Sequence, residues 1–228
     1  MSANLHWLTQ TSSQVPDSNY WLSEQERKIS NEFRVPKRRN DWRLGRWTAK
    51  RAIAAYQAEK NLRLSSLEIR AAADGVPEPF YEGEPAEVSI SISHSKDRGF
   101  CALEPRGCAI GCDLEWIERR EENFATDYFT PEELSLSLQA PVEREVFENL
   151  IWSAKESTLK IIRKGLTRDT RSVVISPEFG EEDGSWNRWI GHCLESSRIF
   201  HGWWRTCEGY IYTLASEQPT SVPEQIQV

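Results

Sequence analysis

The chain of 228 residues has no long apolar run, and no stretch of it approaches the length of a membrane span. Its first ten residues lack the basic stretch and apolar run of a secretory signal. Cysteine is scarce, with five residues, and Cys108 and Cys112 have no second pair at zinc spacing. These absences predict a cytoplasmic protein with reduced thiols and no membrane partner.

Basic residues are fewer than acidic ones, 28 Lys and Arg against 35 Asp and Glu, so the chain carries a net charge of −7. Positive charge is concentrated between Glu24 and Arg63, which hold 12 of the 28 Lys and Arg but only 5 of the 35 Asp and Glu. A nucleic-acid-binding protein would show a basic surplus over a wider region. We therefore expect no nucleic-acid partner, and a localised anion site within the basic segment.

The sequence predicts helices followed by strands in each half of the chain. Ser23 with Glu26, and Thr130 with Glu133, have the spacing of helix-capping boxes. Longer helices are predicted over 38–59 and 143–163, and strands over 88–93, 99–103, 109–116, 172–176, 189–195 and 210–215. The segment 71–87 is predicted to be a loop, because it is rich in Pro, Gly and acidic residues. The order of helices followed by strands repeats loosely in the two halves.

The first long helix carries a basic stripe. Arg39, Arg43, Arg46 and Lys50 fall within about 60° of one another around its axis. Such a stripe could bind an anion, although a solvated basic face has the same pattern.

Two carboxylates, Asp113 and Glu115, stand two residues apart in the predicted strand 109–116. On a strand this spacing places both on one face. Their charges repel unless a cation or proton lies between them, and Mg²⁺ prefers such oxygen ligands. A solvated acidic face on an edge strand would show the same spacing.

Two other segments carry reactive groups. Glu156 and Lys160, four residues apart on the helix 143–163, share one face with Trp152, as a simple surface ion pair also would. His94 ends a predicted strand, where it could donate to a phosphate or be purely structural. No nucleophile elbow accompanies it, so acyl chemistry is not supported.

In their order and spacing these segments resemble the Sfp-type 4′-phosphopantetheinyl transferases. The matching pieces are Gly45-Arg46 with Lys50, Ser93-His94-Ser95, Gly111-x-Asp113-x-Glu115, Trp152-x-x-Lys155-Glu156-Ser157, Lys160 and Lys164-Gly165-Leu166. The resemblance spans about Ser23 to Ser176.

The resemblance implies an α+β fold with two similar subdomains, related by a pseudo-twofold axis, and an active site between them. We place the subdomains at 1–110 and 111–217, followed by a disordered tail at 218–228. The implied reaction moves the 4′-phosphopantetheine group from coenzyme A to a serine of an apo acyl, peptidyl or aryl carrier protein and releases 3′,5′-ADP. The enzyme is expected to be a monomer.

The resemblance also implies roles for individual residues. Asp113, Glu115 and Glu156 would surround Mg²⁺, with Mn²⁺ as a substitute, and Glu156 and Lys160 would be catalytic. Whether Glu156 is base, metal ligand or both stays open. The residues implied to contact coenzyme A are Lys28, Arg46, Lys50, Gly75, Pro77, Ser93, His94, Lys155 and Lys160.

One departure stands out. Many relatives carry a phosphate-binding Gly-Lys-Pro segment where this chain has Gly75-Val76-Pro77. Another residue must supply the positive charge of that lysine, or the pyrophosphate of coenzyme A is bound more weakly. Two alternatives to the transferase are a non-catalytic coenzyme A-binding or carrier-docking module and a Mg²⁺-dependent phosphohydrolase.

Overall fold

A computed structural model of the protein describes residues 4–58, 61–163, 169–180 and 184–228. The helices are α1 Glu24–Glu32, α2 Pro36–Tyr56, α3 Phe124–Tyr128, α4 Pro131–Ser137 and α5 Arg144–Ile162. The strands are β1 His6–Thr11, β2 Leu67–Ala71, β3 Pro77–Tyr81, β4 Glu84–Pro85, β5 Val88–Ser95, β6 Arg98–Pro105, β7 Ile110–Trp116, β8 Val173–Pro177, β9 Asn187–Cys193, β10 Ile199–Cys207, β11 Tyr210–Ser216 and β12 Glu224–Gln225. The predicted α+β class is confirmed.

The chain forms two compact units, and the first comprises Leu5–Cys108 with Glu224–Val228. Its four-stranded sheet has the order β12-β1-β6-β5, and a three-stranded sheet has the order β2-β3-β4. Helix α2 buries Ala49, Ala52 and Ile53 in a core shared with both sheets. Burying this stripe leaves other faces of α2 available for polar contacts.

The second unit consists mainly of Ala109–Pro223. Its five strands have the order β7-β11-β10-β9-β8, and every neighbouring pair is antiparallel. Helix α5 buries Leu150, Ile151, Ala154 and Leu159 in the core of this unit. The packing fixes which side of α5 faces β7 and β11 and therefore places the polar residues of the helix.

A capping box in the first unit is joined to a buried ion pair. Ser23 and Glu26 cap α1 as predicted, and the Glu26 carboxylate also accepts from the Ile69 backbone N–H at 3.1 Å. The Lys50 ammonium pairs with the same carboxylate and donates to the Trp21 carbonyl at 3.1 Å. Both charged side chains are buried, so each depends on the other for compensation.

The second unit repeats this arrangement. Thr130 and Glu133 cap α4 as predicted, and Glu133 Oε1 accepts from the Ile175 N–H at 2.7 Å. The buried Lys155 ammonium lies 2.8 Å from Glu133 Oε2 and donates to the Thr170 carbonyl at 3.0 Å. The loose repeat of helices and strands seen in the sequence therefore extends to a matching network of buried polar contacts.

The predicted loop at 71–87 is wrong, because β3 and β4 form there. The Pro79 carbonyl accepts from the Ala86 N–H, so the proline nitrogen faces the β4 side. Its missing donor therefore does not interrupt the pairing of Pro79 with Ile69 on β2. Proline content indicated a loop, but the prolines lie where their missing N–H groups are tolerated.

The predicted disordered tail at 218–228 is also corrected. Its strand β12 pairs in parallel with β1, with Glu224 opposite His6, and Ile226 packs against the core of the first unit. The division after Cys108 lies two residues from the predicted boundary at 110. None of the described helices is long and apolar enough to cross a membrane, and all five cysteines are free thiols.

Candidate active site

The carboxylates of β7 stand in the second unit beside α5. Strand alternation turns Leu114 to the opposite face from Asp113 and Glu115. The approach of β7 to α5 depends on Gly111, because a Cβ there would lie 1.9 Å from the Ser157 carbonyl oxygen. Glycine thus brings the strand close enough for its carboxylates to meet side chains of the helix.

Asp113 is held by two residues of α5. Its Oδ2 accepts from the Ser153 hydroxyl at 2.9 Å, and its Oδ1 lies 3.0 Å from Lys160 Nζ. Lys160 also donates to the Cys112 carbonyl at 2.6 Å. Burial lowers the pKa of Lys160, but the charges of Asp113, Cys112 and Glu156 and the hydrogen bond to Asp113 together outweigh it, so the net pKa is raised. The lysine therefore stays a cation, with its side chain 30% exposed beside the carboxylates.

Glu115 is held through both of its oxygens. Oε1 accepts from the Trp152 indole N–H at 3.0 Å, and Oε2 lies 3.0 Å from a terminal nitrogen of Arg120. Burial and then the neighbouring Asp113 raise the pKa of Glu115, and Arg120 opposes that rise. Burial and Asp113 therefore disfavour the charged form of Glu115 more than Arg120 and Trp152 favour it.

Glu156 is the third carboxylate, one turn before Lys160 on α5. Burial, followed by the charge of Asp113, raises the pKa of Glu156 to about 7, although Lys160 lowers it in part. Glu156 Oε1 is buried and has no hydrogen-bond partner among the residues that the structure describes. An unsatisfied buried carboxylate oxygen is costly unless a proton or cation meets it.

The donor set fits a hard divalent cation. Asp113 raises the pKa of both Glu115 and Glu156, and the unsatisfied Glu156 oxygen is a ligand that Mg²⁺ prefers. Within the described residues, however, no group of three or more His, Cys, Asp or Glu side chains is already gathered as a metal cluster. Asp113, Glu115 and Glu156 are therefore the candidate ligands, because the type and charge of their donor atoms suit a divalent cation.

A basic cavity of about 630 Å³ lies in the first unit, at the N-terminal half of α2. Four residues predicted to contact coenzyme A line it, namely Arg46, Gly75, Pro77 and His94. The Arg46 guanidinium lies 4.9 Å from the centre of the Trp42 ring, and within the described part of the chain its buried Nε has no hydrogen-bond partner.

The sequence did not single out several residues of these two sites. Lys37 and Arg38 line the basic cavity, while Ser153 and Arg120 contact the carboxylates. Two signals were present: the two cations lie inside the basic segment, and Arg120 belongs to an arginine pair in an otherwise acidic stretch.

The structure does not bring every predicted residue to a site. Lys50 and Lys155 are fully buried in the ion pairs with Glu26 and Glu133, so we withdraw both from the ligand set. Ser93 is buried on the opposite side of β5 from His94.

Lys28 is exposed, pairs with Glu24 at 2.8 Å and does not line the basic cavity. The segment Lys164-Gly165-Leu166 lies outside the described residues.

Comparisons with known proteins agree with this assignment. The sequence model of the 4′-phosphopantetheinyl transferase superfamily matches residues 109–214, which include all three carboxylates and Lys160. The 4′-phosphopantetheinyl transferase HetI of Nostoc sp. (strain PCC 7120 / SAG 25.82 / UTEX 2576) is 26% identical over 177 residues, which cover 75% of this chain and 72% of HetI. With the α+β fold and the carboxylate site, these similarities identify a transferase. Residues 109–214 of the chain therefore resemble the 4′-phosphopantetheinyl transferase superfamily.

Proposed function

We propose that the protein transfers the 4′-phosphopantetheine group from coenzyme A to a serine of an apo acyl, peptidyl or aryl carrier protein, in a Mg²⁺-dependent reaction that releases 3′,5′-ADP. The observation that carries this proposal is the set of three carboxylates beside Lys160, with one Glu156 oxygen unsatisfied. The similar protein HetI is named as a 4′-phosphopantetheinyl transferase, which is the same class of activity.

Glu156 is the proposed base for the attacking serine hydroxyl. A pKa of about 7 suits a group that must accept a proton near neutral pH. Mg²⁺ held by Asp113, Glu115 and Glu156 would polarise the pyrophosphate and offset charge on its oxygens. A carboxylate engaged with a metal is a weaker base, so Glu156 can serve both roles only in different steps or through a water molecule.

Lys160 is the proposed cation for the phosphate oxygens. Asp113 and the Cys112 carbonyl hold its ammonium in one place, so little reorganisation is needed as charge develops. Because the neighbouring Asp113 keeps Lys160 protonated, its positive charge is available throughout the neutral pH range.

The basic cavity of the first unit is the proposed site for the 3′-phosphate and adenine of coenzyme A. Arg46, Lys37 and Arg38 supply positive charge, and His94 can donate a hydrogen bond. The Trp42 ring, also in the lining, offers an aromatic surface to the base. These cations are candidates for the charge that a lysine at Val76 would have supplied.

The proposed carrier-docking region is 124–138, in the second unit. Phe129 in this region is buried in the core, whereas Tyr128 and Leu138 are 40% and 87% exposed. We therefore place the apolar contact at Tyr128 and Leu138. The protein is proposed to act as a cytoplasmic monomer without a nucleic-acid or membrane partner.

The two alternatives differ in their products. A non-catalytic binding module would bind coenzyme A without releasing 3′,5′-ADP, and a phosphohydrolase would release product without a carrier. The experiment measures 3′,5′-ADP from coenzyme A and Mg²⁺, with and without apo carrier. Release that requires the carrier supports the transferase, release without it supports the hydrolase, and no release with any carrier supports the binding module.

The variants Asp113→Ala and Glu156→Gln test the site. Each should lower turnover about 100-fold or more, since a metal ligand or a general base is lost. Circular dichroism checks that the fold is kept. Near-normal turnover in both folded variants would contradict the assignment of the carboxylates.

A further inference from the structure

A second cation stands beside the carboxylates and has no part in the mechanism above. Arg120 lies in the loop after β7, with a terminal nitrogen 3.0 Å from Glu115 Oε2. Its side chain is only 18% exposed, so the pair is largely shielded from water. Such shielding strengthens the electrostatic attraction between Arg120 and Glu115, so the strength of the pair depends closely on its geometry.

A buried asparagine fixes the direction of Arg120. Both contacts of Asn149 Nδ2 are to backbone carbonyls, those of Glu118 and Glu145, each at 2.7 Å. Both amide hydrogens are thereby used, which leaves Asn149 Oδ1 as the acceptor for Arg120 Nε at 2.8 Å. The orientation of the amide is therefore determined, and with it the position of the guanidinium.

The guanidinium is also covered on one face. The Phe124 ring centre lies 5.1 Å from its central carbon, a distance at which a cation is attracted to an aromatic face. Arg120 thus has an amide partner, an aromatic neighbour and the Glu115 carboxylate. The planar fork of arginine places Nε at the Asn149 amide and a terminal nitrogen at the Glu115 carboxylate at the same time, whereas the single ammonium of lysine cannot occupy both positions.

We propose that Arg120, held by Asn149, is a positioning residue that keeps the Glu115 carboxylate oriented for the divalent cation. The inference rests on the proposed function for the identity of the cation site. Arg120 fixes one oxygen of Glu115 while Trp152 fixes the other. Groups that orient a metal ligand in this way typically contribute about 10- to 100-fold to metal affinity.

Calorimetric titration of the full-length protein with MgCl₂ and with MnCl₂, in the absence of coenzyme A, tests the inference. Arg120→Ala should bind either ion about 10- to 100-fold more weakly than the wild type. Arg120→Lys should lie between the two, because it keeps the charge but loses the fork. Arg119→Ala is the matched control: it removes the same charge from an exposed neighbour and should stay within about twofold.

Kinetics separate positioning from a general loss of structure. For Arg120→Ala, the Mg²⁺ concentration that gives half-maximal transfer should rise, and kcat at saturating Mg²⁺ should return towards the wild-type value. A merely structural defect would not be rescued by the ion. Thermal melting in EDTA reports folding, and if Arg120→Ala does not fold, Arg120→Lys decides by the same titration.

Wild-type affinity for Mg²⁺ and Mn²⁺ in a folded Arg120→Ala or, failing that, a folded Arg120→Lys protein would overturn the inference. Failure of the proposed function looks different, because the wild type would then modify no carrier. The ion titration needs no carrier and still reports on Arg120 in that case.

Discussion

Glu156 shows how its surroundings change the chemistry of one side chain. Burial and the neighbouring Asp113 raise the pKa of Glu156 from 4.5 to about 7. The folded state therefore holds the proton more tightly than the unfolded chain does. The stability contributed by this proton is complete below about pH 4.5 and is lost as pH rises through about 7.

Glu156→Gln should therefore stabilise the protein in EDTA at pH 8 but not at pH 4.5. We expect a gain on the order of 1–2 kcal/mol in the free energy of unfolding at pH 8, after allowance for solvent screening. Urea denaturation at several pH values measures it. Glu143→Gln, at an exposed position beside the same helix, is the control; an equal, pH-independent effect in both variants would contradict the account.

Arg46 should recognise the 3′-phosphate of coenzyme A. In Arg46→Ala, KM for coenzyme A should rise about 10- to 100-fold, since a hydrogen bond to a charged group is lost. KM for 3′-dephospho-coenzyme A should change little. Steady-state transfer kinetics with both substrates measure the difference. Lys28→Ala, on the exposed surface of α1, is the control, and an equal loss for both substrates would show that Arg46 does not contact this phosphate.

At the residue scale, the sequence predicted that the carboxylates share one face, but it did not predict that the lysines are buried in ion pairs. Alternation along a strand places Asp113 and Glu115 on one face in any folded context. Helical spacing cannot show which face of a helix other elements will cover. Lys50 lies on the predicted basic stripe, yet α1 and β2 bury it with Glu26.

Among the elements, the contact between β7 and α5 decides the position of the site. Gly111→Ala should destabilise the protein by about 3 kcal/mol or more, because the added Cβ would overlap the Ser157 carbonyl. Chemical denaturation measures the loss. Gly45→Ala is the control, since its Cβ would lie 3.2 Å from an Ile92 methyl group, a far milder contact than that at Gly111, and alanine favours a helix. Similar stabilities for the two variants would contradict the close approach.

The buried ion pairs connect elements within each unit. Lys50→Met should lower the free energy of unfolding by about 3–5 kcal/mol, because Glu26 would be left buried and charged. Glu26→Gln combined with Lys50→Met should recover part of that loss. Chemical denaturation measures the free energy of unfolding, and titration with coenzyme A measures KM. Unchanged stability with a raised KM for coenzyme A would restore Lys50 to the ligand set.

Elements with clear start signals were predicted well from the sequence. Ser23 and Thr130 cap α1 and α4 as expected, because their signals are local. The strand β3 was missed, since the orientation of Pro79 becomes clear only from its neighbours. The pairing of β12 with β1 joins distant parts of the chain, and no local pattern encodes it.

At the scale of the whole molecule, each unit carries a different chemistry on a similar framework. The first holds the basic cavity and the second the carboxylates, although both contain a capped helix with a buried Glu–Lys pair. The uneven charge of the sequence had indicated this division, because the basic segment falls within the first unit. The match of the family to residues 109–214 points to the second unit for the shared chemistry.

Intact-mass measurement of carrier proteins tests the central claim most directly. The protein is incubated with coenzyme A, Mg²⁺ and a panel of apo acyl, peptidyl and aryl carriers, beside a transferase of proven activity. We predict that at least one carrier gains the mass of one phosphopantetheine group, in an amount equal to the 3′,5′-ADP released. No mass gain on any carrier that the control enzyme modifies would contradict the account.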